Sequence, residues 1–376
     1  MRLIGIAVFF IALCLPTVQK LTGWLPPLTI DENRRLATAS GLEDFKDPVK
    51  AFARDEQYFD DHYGLRDILI RLKTQVDFTV FHTSDRVHLG KDGWLFYRNV
   101  LDVEKPATER FFASHSDQLT AGIEDLALAL KQRGQTLVLM PVFLGDVFYK
   151  DELPHDVPNL PQPSGFFKAT EQWKKLPNLI YIDSATVLAQ VEEQRQVFHK
   201  TDFHWNSPAA FEVGRDFVDR VAKNEGFSAP LWDHTLKIER RPYIGRESDF
   251  LPLFKQPSEM GLFVVPTWNV SDVQMTTNEG IFEYVSRKRA EDGKTLPPLC
   301  IVGDSFFDAL GEAGFASYFQ TVYRVRWHGP DTLPNALAQF PLECKYVVVE
   351  FIEVQGSAFS SLMNGAMNLD MSKHSP

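Results

Sequence analysis

The sequence predicts an α/β domain in which helices flank a mostly parallel β-sheet. Amphipathic helical patterns followed by short apolar runs typical of strands occur twice, and the same alternation continues after Leu299. The 376 residues are 44% hydrophobic and 12% aromatic, which is enough apolar material for a large buried core. The formal net charge of −11 argues against nucleic acid as a partner, because proteins that bind nucleic acid present a basic surface.

The N-terminal segment carries the clearest targeting signal. An uninterrupted apolar run, Leu3–Leu15, is closed by Pro16. Its 13 residues match the apolar core of a signal peptide rather than a full membrane span. No pair of small residues typical of a cleavage site follows the run. The sequence therefore leaves two possibilities for this segment. It is either a cleaved signal peptide or an uncleaved anchor that Thr17–Leu25 extend.

Two helices are predicted between this segment and the main domain. Asp47 and Pro48 suit the cap and the first position of a helix that runs to about His62, and Leu65–Phe81 repeats apolar residues at helical spacing. Two apolar arms around Asp92-Gly93 then predict a β-hairpin. These features divide the chain into a signal peptide or membrane anchor (1–25), a helical preamble packed on the main domain (26–85) and the main domain itself (86–376).

The main domain alternates helices and strands. In chain order, the predicted elements are a helix at Ser116–Arg133, a strand at Thr136–Phe143, a helix at Phe166–Lys175, a strand at Asn178–Ile182, a helix at Ser207–Asn224, and strands at Tyr318–Val325 and Tyr346–Val349. Cys300 and Cys344 each precede a strand-like run, so a parallel sheet would place them near the same edge. A disulfide and two buried free thiols both agree with that placement.

An abrupt change from strand to helix at Gly303-Asp304-Ser305 is the first candidate for chemistry. The apolar run Leu299–Val302 stops there, and Phe306 resumes with a helical pattern. A hydroxyl at the start of a helix lies beside unpaired backbone N–H groups, so this turn can supply a nucleophile and part of an oxyanion hole. Asp and Ser are also the commonest helix caps, and the turn alone is equally well explained by capping.

Asp202 and His204 supply the base that a serine nucleophile needs. Both precede a helix that Ser207 and Pro208 are predicted to begin. A histidine base requires a carboxylate at Nδ1 and a hydroxyl within reach of Nε2. Asp202, His204 and Ser305 are therefore the predicted catalytic triad; the alternatives are a loop held by local hydrogen bonds and a zinc site. No third His or Cys lies at a recognisable zinc-ligand spacing, and no cofactor or metal is expected.

Four motifs in the same order resemble the SGNH-hydrolase-like O-acetyltransferases of bacterial exopolysaccharide assembly, the AlgJ/AlgX-like family. The motifs are Glu32-Asn33-Arg34, Gly90–Phe96, Thr201–Asn206 and Gly303–Phe306, and the resemblance extends from about Glu32 to Glu353. It implies a three-layer, circularly permuted SGNH-hydrolase-like fold. It also implies that Ser305 is the nucleophile, His204 the base and Asp202 the orienting carboxylate. Only 23 residues follow Glu353, so we expect the membrane-anchored AlgJ-like type without a carbohydrate-binding module.

The resemblance implies an O-acetyltransferase that modifies hydroxyls of a secreted bacterial polysaccharide, alginate or another exopolysaccharide, through an acetyl-serine. The expected partners are the polysaccharide acceptor and a multipass membrane acyltransferase-like protein that brings the acetyl donor. The expected location is the periplasm, with the N-terminal segment in the inner membrane. A carbohydrate acetylesterase and a non-catalytic scaffold or polysaccharide-binding protein of a secretion complex are the alternative functions.

Three residues are predicted to contact substrate, namely Arg324, Arg326 and Trp205. The two arginines, with the nearby His328, follow a strand-like run and could line a groove for an anionic polymer or contribute to the oxyanion hole. An edge strand with solvated charges is the alternative interpretation of the arginines. Trp205 is a candidate because it belongs to the Asp-x-His-Trp motif.

Overall fold

The computed structural model describes residues 2–25, 30, 35–228, 230–267, 273–288 and 295–371. The motif Glu32-Asn33-Arg34 lies outside the described residues. The helices are α1 (Arg2–Thr22), α2 (Pro48–His62), α3 (Arg66–Thr79), α4 (Lys105–Gln132), α5 (Gly145–Phe148), α6 (Gly165–Trp173), α7 (Ser184–Glu192), α8 (Ser207–Asn224), α9 (Arg246–Asp249), α10 (Phe306–Glu312), α11 (Thr332–Gln339), α12 (Gly356–Met363) and α13 (Met367–Met371). The strands are β1 (Val87–Leu89), β2 (Leu95–Tyr97), β3 (Thr136–Val142), β4 (Leu179–Tyr181), β5 (Ile238–Tyr243), β6 (Glu259–Val264), β7 (Val273–Glu279), β8 (Phe282–Lys288), β9 (Leu299–Gly303), β10 (Thr321–Arg326) and β11 (Tyr346–Ile352).

A seven-stranded sheet in the order β4-β3-β11-β9-β10-β8-β7 forms the centre of the main domain. The strands from β4 to β10 in this order pair in parallel, and β8 and β7 add an antiparallel edge. The mostly parallel sheet is therefore confirmed. Strand β11, the middle one of the five parallel strands, is buried along almost its whole length, which explains its continuous apolar run Tyr346–Val349.

The sheet separates two hydrophobic cores because successive residues of a strand point to opposite faces. Ile301 and Val348 pack in the core that contains residues of α7, α8 and α10. Val302 and Val349 pack in the core that contains residues of α4, α6, α11 and α12. This arrangement gives the predicted three layers.

A disulfide joins Cys300 of β9 to Cys344, which lies just before β11. The Cα atoms of the two residues are 5.7 Å apart, and both side chains are fully buried. The structure thus decides between the two alternatives that the sequence left open, a disulfide and two free thiols. The bond lies toward the amino ends of these parallel strands, away from Ser305 at the carboxyl end of β9.

Several elements differ from the prediction in their bounds or surroundings. Helix α4 begins at Lys105 rather than at Ser116. The cap of α8 is Asn206, whose side chain accepts a hydrogen bond from the Ala209 N–H, whereas the predicted cap Ser207 accepts one from Val264 instead. Strand β10 lies between β9 and β8, so it is an interior strand rather than the suggested edge strand.

The N-terminal helix and the preamble are less buried than the main domain. Helix α1 continues through Pro16, and Ile4–Thr22 is long and apolar enough to cross a membrane. Helices α2 and α3 match their predicted positions, and Phe78 of α3 packs on a small cluster of the main domain that contains Leu251 and Leu253. Phe52 of α2 is nevertheless 66% exposed. The division of the chain at residues 25 and 85 stays a prediction.

Candidate active site

The turn between β9 and α10 presents Ser305 at the carboxyl edge of the sheet. Asp304 shapes this turn, because its carboxylate accepts hydrogen bonds from the N–H groups of Phe306 at 2.8 Å and Ile352 at 3.0 Å. The first bond caps α10, and the second ties the turn to β11. The Ser305 side chain makes no capping hydrogen bond, so its hydroxyl is available for other contacts.

His204 connects Asp202 to Ser305. Its Nδ1 lies 2.6 Å from Asp202 Oδ1, and its Nε2 lies 2.7 Å from Ser305 Oγ. The imidazole ring stacks on Phe203 and packs against Phe306, with ring centroids 4.1 and 4.8 Å away. The structure therefore brings the three residues of the predicted triad together in one hydrogen-bonded chain, with the histidine ring held from two sides.

Asp202 is held in its ionised form by the donors around it. Its Oδ2 accepts hydrogen bonds from the Tyr243 hydroxyl at 2.6 Å and from the Arg246 N–H at 3.1 Å. Burial opposes ionisation, but the hydrogen bonds and charge of His204 together with the Tyr243 hydrogen bond outweigh it. The pKa of Asp202 consequently lies well below its ordinary value.

Tyr243 extends the chain of hydrogen bonds to four side chains, and our reading of the sequence missed it. It ends β5, which pairs with β6 in a separate two-stranded ribbon. Because Tyr243 lies 41 residues after Asp202, no local spacing connects the two residues. The sequence offered only one hint of this role, namely a tyrosine close to the glycine at position 245.

The loop that carries the histidine is fixed by further buried carboxyls. Glu247 is fully buried and accepts the Phe203 N–H at 2.8 Å, and its pKa is raised well above the ordinary value by burial and by the negative charge of Asp202. Glu259 accepts hydrogen bonds from both the N–H and the hydroxyl of Thr201. At Gly245 a Cβ atom would lie 2.1 Å from the Thr201 carbonyl oxygen, so the close approach of these two segments requires glycine.

Glu350 lies directly beneath the nucleophile turn and is completely buried. Its Oε2 accepts the Asp304 N–H at 2.7 Å, and a Cβ atom at Gly303 would lie 2.7 Å from the same oxygen. Burial and the negative charge of Asp304 raise the pKa of Glu350 well above its ordinary value. Sequence reasoning missed this residue, although a lone carboxyl within the apolar strand Tyr346–Ile352 was a usable signal.

Two of the three residues predicted to contact substrate are buried inside the protein. Trp205 is 1% exposed, and its indole N–H donates to the Phe306 carbonyl at 2.9 Å. Arg324 is 2% exposed and donates to the Asp304 carbonyl and to Asp308. Burial therefore argues against the predicted substrate contact for both residues, and their polar groups instead hold the turn and α10 in place.

Arg326 is partly exposed, but its charge is already paired. Its guanidinium donates to Glu283 at 2.9 Å and to both carboxylate oxygens of Asp308. A groove for an anionic polymer would need an unpaired cation here, so this arrangement does not support that use. His328 is exposed, and its backbone N–H donates to the Thr332 hydroxyl.

The groups around Ser305 suit acyl transfer. Among the described residues, no acceptor binds the backbone N–H of Ser305, so this group is available to an oxyanion. Within the same part of the chain, no group of three or more His, Cys, Asp or Glu side chains is arranged to hold a metal ion. The hydrogen-bonded side chains of Asp202, His204 and Ser305 can carry nucleophile and base chemistry.

Comparison with known proteins places this geometry in a family. A family model described as the SGNH hydrolase-like domain of the acetyltransferase AlgX matches residues 87–318, well over half of the chain. The chain belongs to this family. The matched range contains Asp202, His204 and Ser305, while β11 with Glu350 lies beyond it. Membership of the AlgX family confirms the resemblance that the motifs indicated.

Two AlgJ proteins show how far the similarity extends. The probable alginate O-acetylase AlgJ of Pseudomonas syringae pv. tomato is 28% identical over 200 residues, which cover 53% of this chain and 50% of that protein. The match thus spans about half the length of this relative. The O-acetyltransferase domain of Pseudomonas putida AlgJ has a TM-score of 0.51 and 19% identity, and the match covers 74% of this chain and 99% of that domain. At this identity the structural match supports the shared fold.

Proposed function

We propose that this protein is an O-acetyltransferase that transfers acetyl groups to hydroxyls of a secreted polysaccharide through an acetyl ester on Ser305. The observation that carries the proposal is the hydrogen-bonded chain from Asp202 through His204 to Ser305, with contacts of 2.6 and 2.7 Å. Membership of the AlgX acetyltransferase family supports the same reaction class. The name of the AlgJ relative supports a polysaccharide acceptor.

In the first half of the reaction, Ser305 takes the acetyl group from the donor. His204 Nε2 accepts the hydroxyl proton while Ser305 Oγ attacks the acetyl carbonyl carbon. Asp202 holds the imidazole through Nδ1 and stabilises the positive charge that develops on the ring. The Ser305 N–H lies at the start of α10 and can donate to the oxyanion. The imidazolium then returns the proton to the leaving group, and the acetyl ester remains on Ser305.

In the second half, an acceptor hydroxyl takes the place of the leaving group. His204 Nε2 accepts the proton of a sugar hydroxyl, whose oxygen attacks the acetyl carbon of the ester. The tetrahedral intermediate collapses, the bond from the acetyl carbon to Ser305 Oγ breaks, and the imidazolium protonates the serine. The product is an acetylated sugar and the free enzyme. Transfer rather than hydrolysis requires the acceptor hydroxyl to occupy the position that water would otherwise take.

We further propose that the protein works in the periplasm and that α1 anchors it in the bacterial inner membrane. The length and apolar composition of α1 support an anchor, and the disulfide between Cys300 and Cys344 supports an oxidising compartment. In this arrangement a multipass membrane acyltransferase-like partner supplies acetyl groups from across the membrane. The polysaccharide acceptor reaches Ser305 from the periplasmic side.

The test uses the full chain in detergent with 4-nitrophenyl acetate as donor and a panel of oligosaccharides as acceptors. We expect mass spectrometry to find an acetyl group on Ser305 and on the oligosaccharide. Ser305→Ala should lose both products, whereas Ser360→Ala, at an exposed serine of α12, should keep both. Acetate release without any acetylated oligosaccharide would instead identify an esterase. Equal activity of the Ser305→Ala protein would overturn the proposed nucleophile.

A further inference from the structure

A row of exposed apolar side chains runs along one side of α3. Its members are three or four residues apart, which places them on the same face of the helix. The members of this apolar row are Leu69, Leu72, Val76 and Val80, and they are between 39% and 63% exposed. Lys73 borders the row, but its charge is paired with Asp77 at 2.6 Å. A contiguous exposed apolar face marks a surface that another molecule covers.

The main domain packs on the opposite side of α3. Arg71 donates to the Leu253 carbonyl at 2.5 Å, and Phe78 packs against the cluster that contains Leu251 and Leu253. An α-helix turns by about 100° per residue, so positions 71 and 78 point away from the apolar row. The row therefore faces away from the main domain.

The junction between α2 and α3 packs directly against α1. A Cβ atom at Gly64 would overlap the Pro16 carbonyl oxygen and lie 2.6 Å from the Lys20 backbone nitrogen, so the approach requires glycine. Lys20 lies in the last turn of α1, and a lysine near the end of a membrane-spanning helix extends its ammonium to the headgroups. Trp24 follows and is exposed, and tryptophan is enriched at the same depth. With α1 in the membrane, α3 therefore begins at the level of the lipid headgroups.

We infer that α3 lies in the interface of the lipid bilayer, parallel to the membrane, with the apolar row inserted below the headgroups. The inference rests on the anchor that is part of the proposed function. A helix in this position buries its apolar face about 5–10 Å into the boundary between headgroups and acyl chains. The row has no charged member, so apolar area rather than attraction to anionic lipid drives the insertion.

Lipid fits the apolar row better than a second copy of the chain does. Four partly exposed aliphatic side chains fall far short of the roughly 800 Å² that each partner buries in a specific protein interface. Lipid, in contrast, covers any apolar surface that lies at its level. Because the main domain packs on the other side of α3, this contact would hold the main domain at the membrane surface, where a membrane-bound acetyl donor is within reach.

The test measures the depth of α3 in full-length protein that is reconstituted in phosphatidylcholine nanodiscs containing nitroxide-labelled lipid. In the first sample, the free and exposed Cys14 carries an environment-sensitive fluorophore and reports whether α1 is in the lipid. In a Cys14→Ala background, Leu69→Cys and Val80→Cys place the fluorophore at the two ends of the apolar row. The matched control is Leu128→Cys, because this leucine of α4 is as exposed as Leu69. Thermal unfolding checks that each labelled protein keeps its fold.

We expect nitroxides near the headgroups to quench the labels at positions 69 and 80 severalfold more strongly than the label at position 128. Quenching at Cys14 without quenching at the row would overturn the inference and leave the anchor standing. Quenching at position 69 alone would also overturn it, because α3 would then rise out of the membrane. A blue shift of the row labels without quenching would mean that protein covers the row instead. If Cys14 is not quenched, the proposed anchor fails and the inference fails with it.

Discussion

Two buried carboxyls, Asp202 and Glu350, flank the Ser305 turn, and their pKa values are shifted in opposite directions. Asp202 accepts four hydrogen bonds, two from His204 and one each from Tyr243 and Arg246. Glu350 accepts the Asp304 N–H, and its Oε1 has no hydrogen-bond partner among the residues that the structure describes. The pKa of Asp202 is lowered and that of Glu350 is raised, although burial acts in the same direction on both.

The comparison shows that the donors and charges around a carboxyl, rather than burial alone, decide the direction of its pKa shift. Asp202 needs its charge because it faces an imidazole that becomes positive during the reaction. A charged Glu350 would instead repel the neighbouring Asp304, whose carboxylate holds the turn. Opposite pKa shifts of two nearby acids are a recurrent way to divide roles in an active site.

Removing the charge of Asp202 should have the largest effect. We expect Asp202→Asn to lower the rate of acetyl transfer from 4-nitrophenyl acetate about 10⁴-fold, because the amide no longer stabilises the imidazolium or selects its tautomer. Thermal unfolding followed by circular dichroism checks that the fold is kept. Asp216→Asn on α8, where the carboxylate pairs with Arg220, is the matched control and should keep the wild-type rate. A rate within tenfold of wild type would remove Asp202 from its proposed role.

The effect of substituting Glu350 on the free energy of unfolding should depend on the shape of the new side chain rather than on the loss of charge. Glu350→Ala leaves the buried N–H of Asp304 without an acceptor, so we expect the free energy of unfolding to fall by about 3 kcal/mol. Glu350→Gln keeps the acceptor and has no charge, and it should stay within about 1 kcal/mol of wild type at neutral pH. Denaturant unfolding measures both values. If the two variants were equally destabilised, the hydrogen bond from the Asp304 N–H would not be what Glu350 contributes to stability.

The raised pKa of Glu350 also predicts a pH dependence of stability. Between the pKa of the unfolded chain, about 4.3, and the higher pKa in the folded protein, the unfolded state binds fewer protons than the native state. Stability therefore falls as pH rises through this window, by up to about 1.4 kcal/mol per pH unit from this group. Urea unfolding of wild type and Glu350→Gln from pH 4.5 to 7 should show a shallower decline for the variant. Parallel curves would contradict the assignment.

Substituting Tyr243 should have the smallest effect on the rate of acetyl transfer. Tyr243→Phe removes one of the four donors to Asp202, and we expect a two- to tenfold lower rate of acetyl transfer, equivalent to about 1 kcal/mol. Tyr346→Phe is the control, because the Tyr346 hydroxyl accepts from Asn224 and donates to Glu225 rather than to a triad residue. It should leave the rate unchanged. A loss as large as that of Asp202→Asn would mean that the Tyr243 hydrogen bond, rather than the carboxylate charge, dominates.

The sequence was most informative where the physical cause was local. The turn at Ser305 was predicted because an apolar strand run ends at glycine and a helical pattern resumes three residues later. The hairpin at Asp92-Gly93 was predicted for a similar reason, and both residues adopt the left-handed conformation that such a turn needs. The pairing of Ser305 with His204 and Asp202 followed from the requirements of the chemistry, and the structure places the three residues together.

Contacts between residues that are distant in the chain could not be predicted in this way. The burial of Arg324 and Trp205, which argues against the predicted substrate contact, depends on the neighbours of a strand or loop, and β8 pairs with the strand that carries Arg324. Tyr243 reaches Asp202 only because a ribbon outside the main sheet folds over the histidine loop. Glu350 reaches Asp304 only because β11 lies beside β9.

The sequence by itself determined the α/β class, the apolar N-terminal segment and the three residues of the proposed triad. These depend on hydrophobic periodicity, on turn residues and on which side chains can exchange a proton, all of which are properties of short stretches. Only the tertiary structure decided the disulfide, the burial of Arg324, and the opposite pKa shifts of Asp202 and Glu350. These shifts depend on the donors and charges around each carboxyl, and those groups include segments that are distant in the chain.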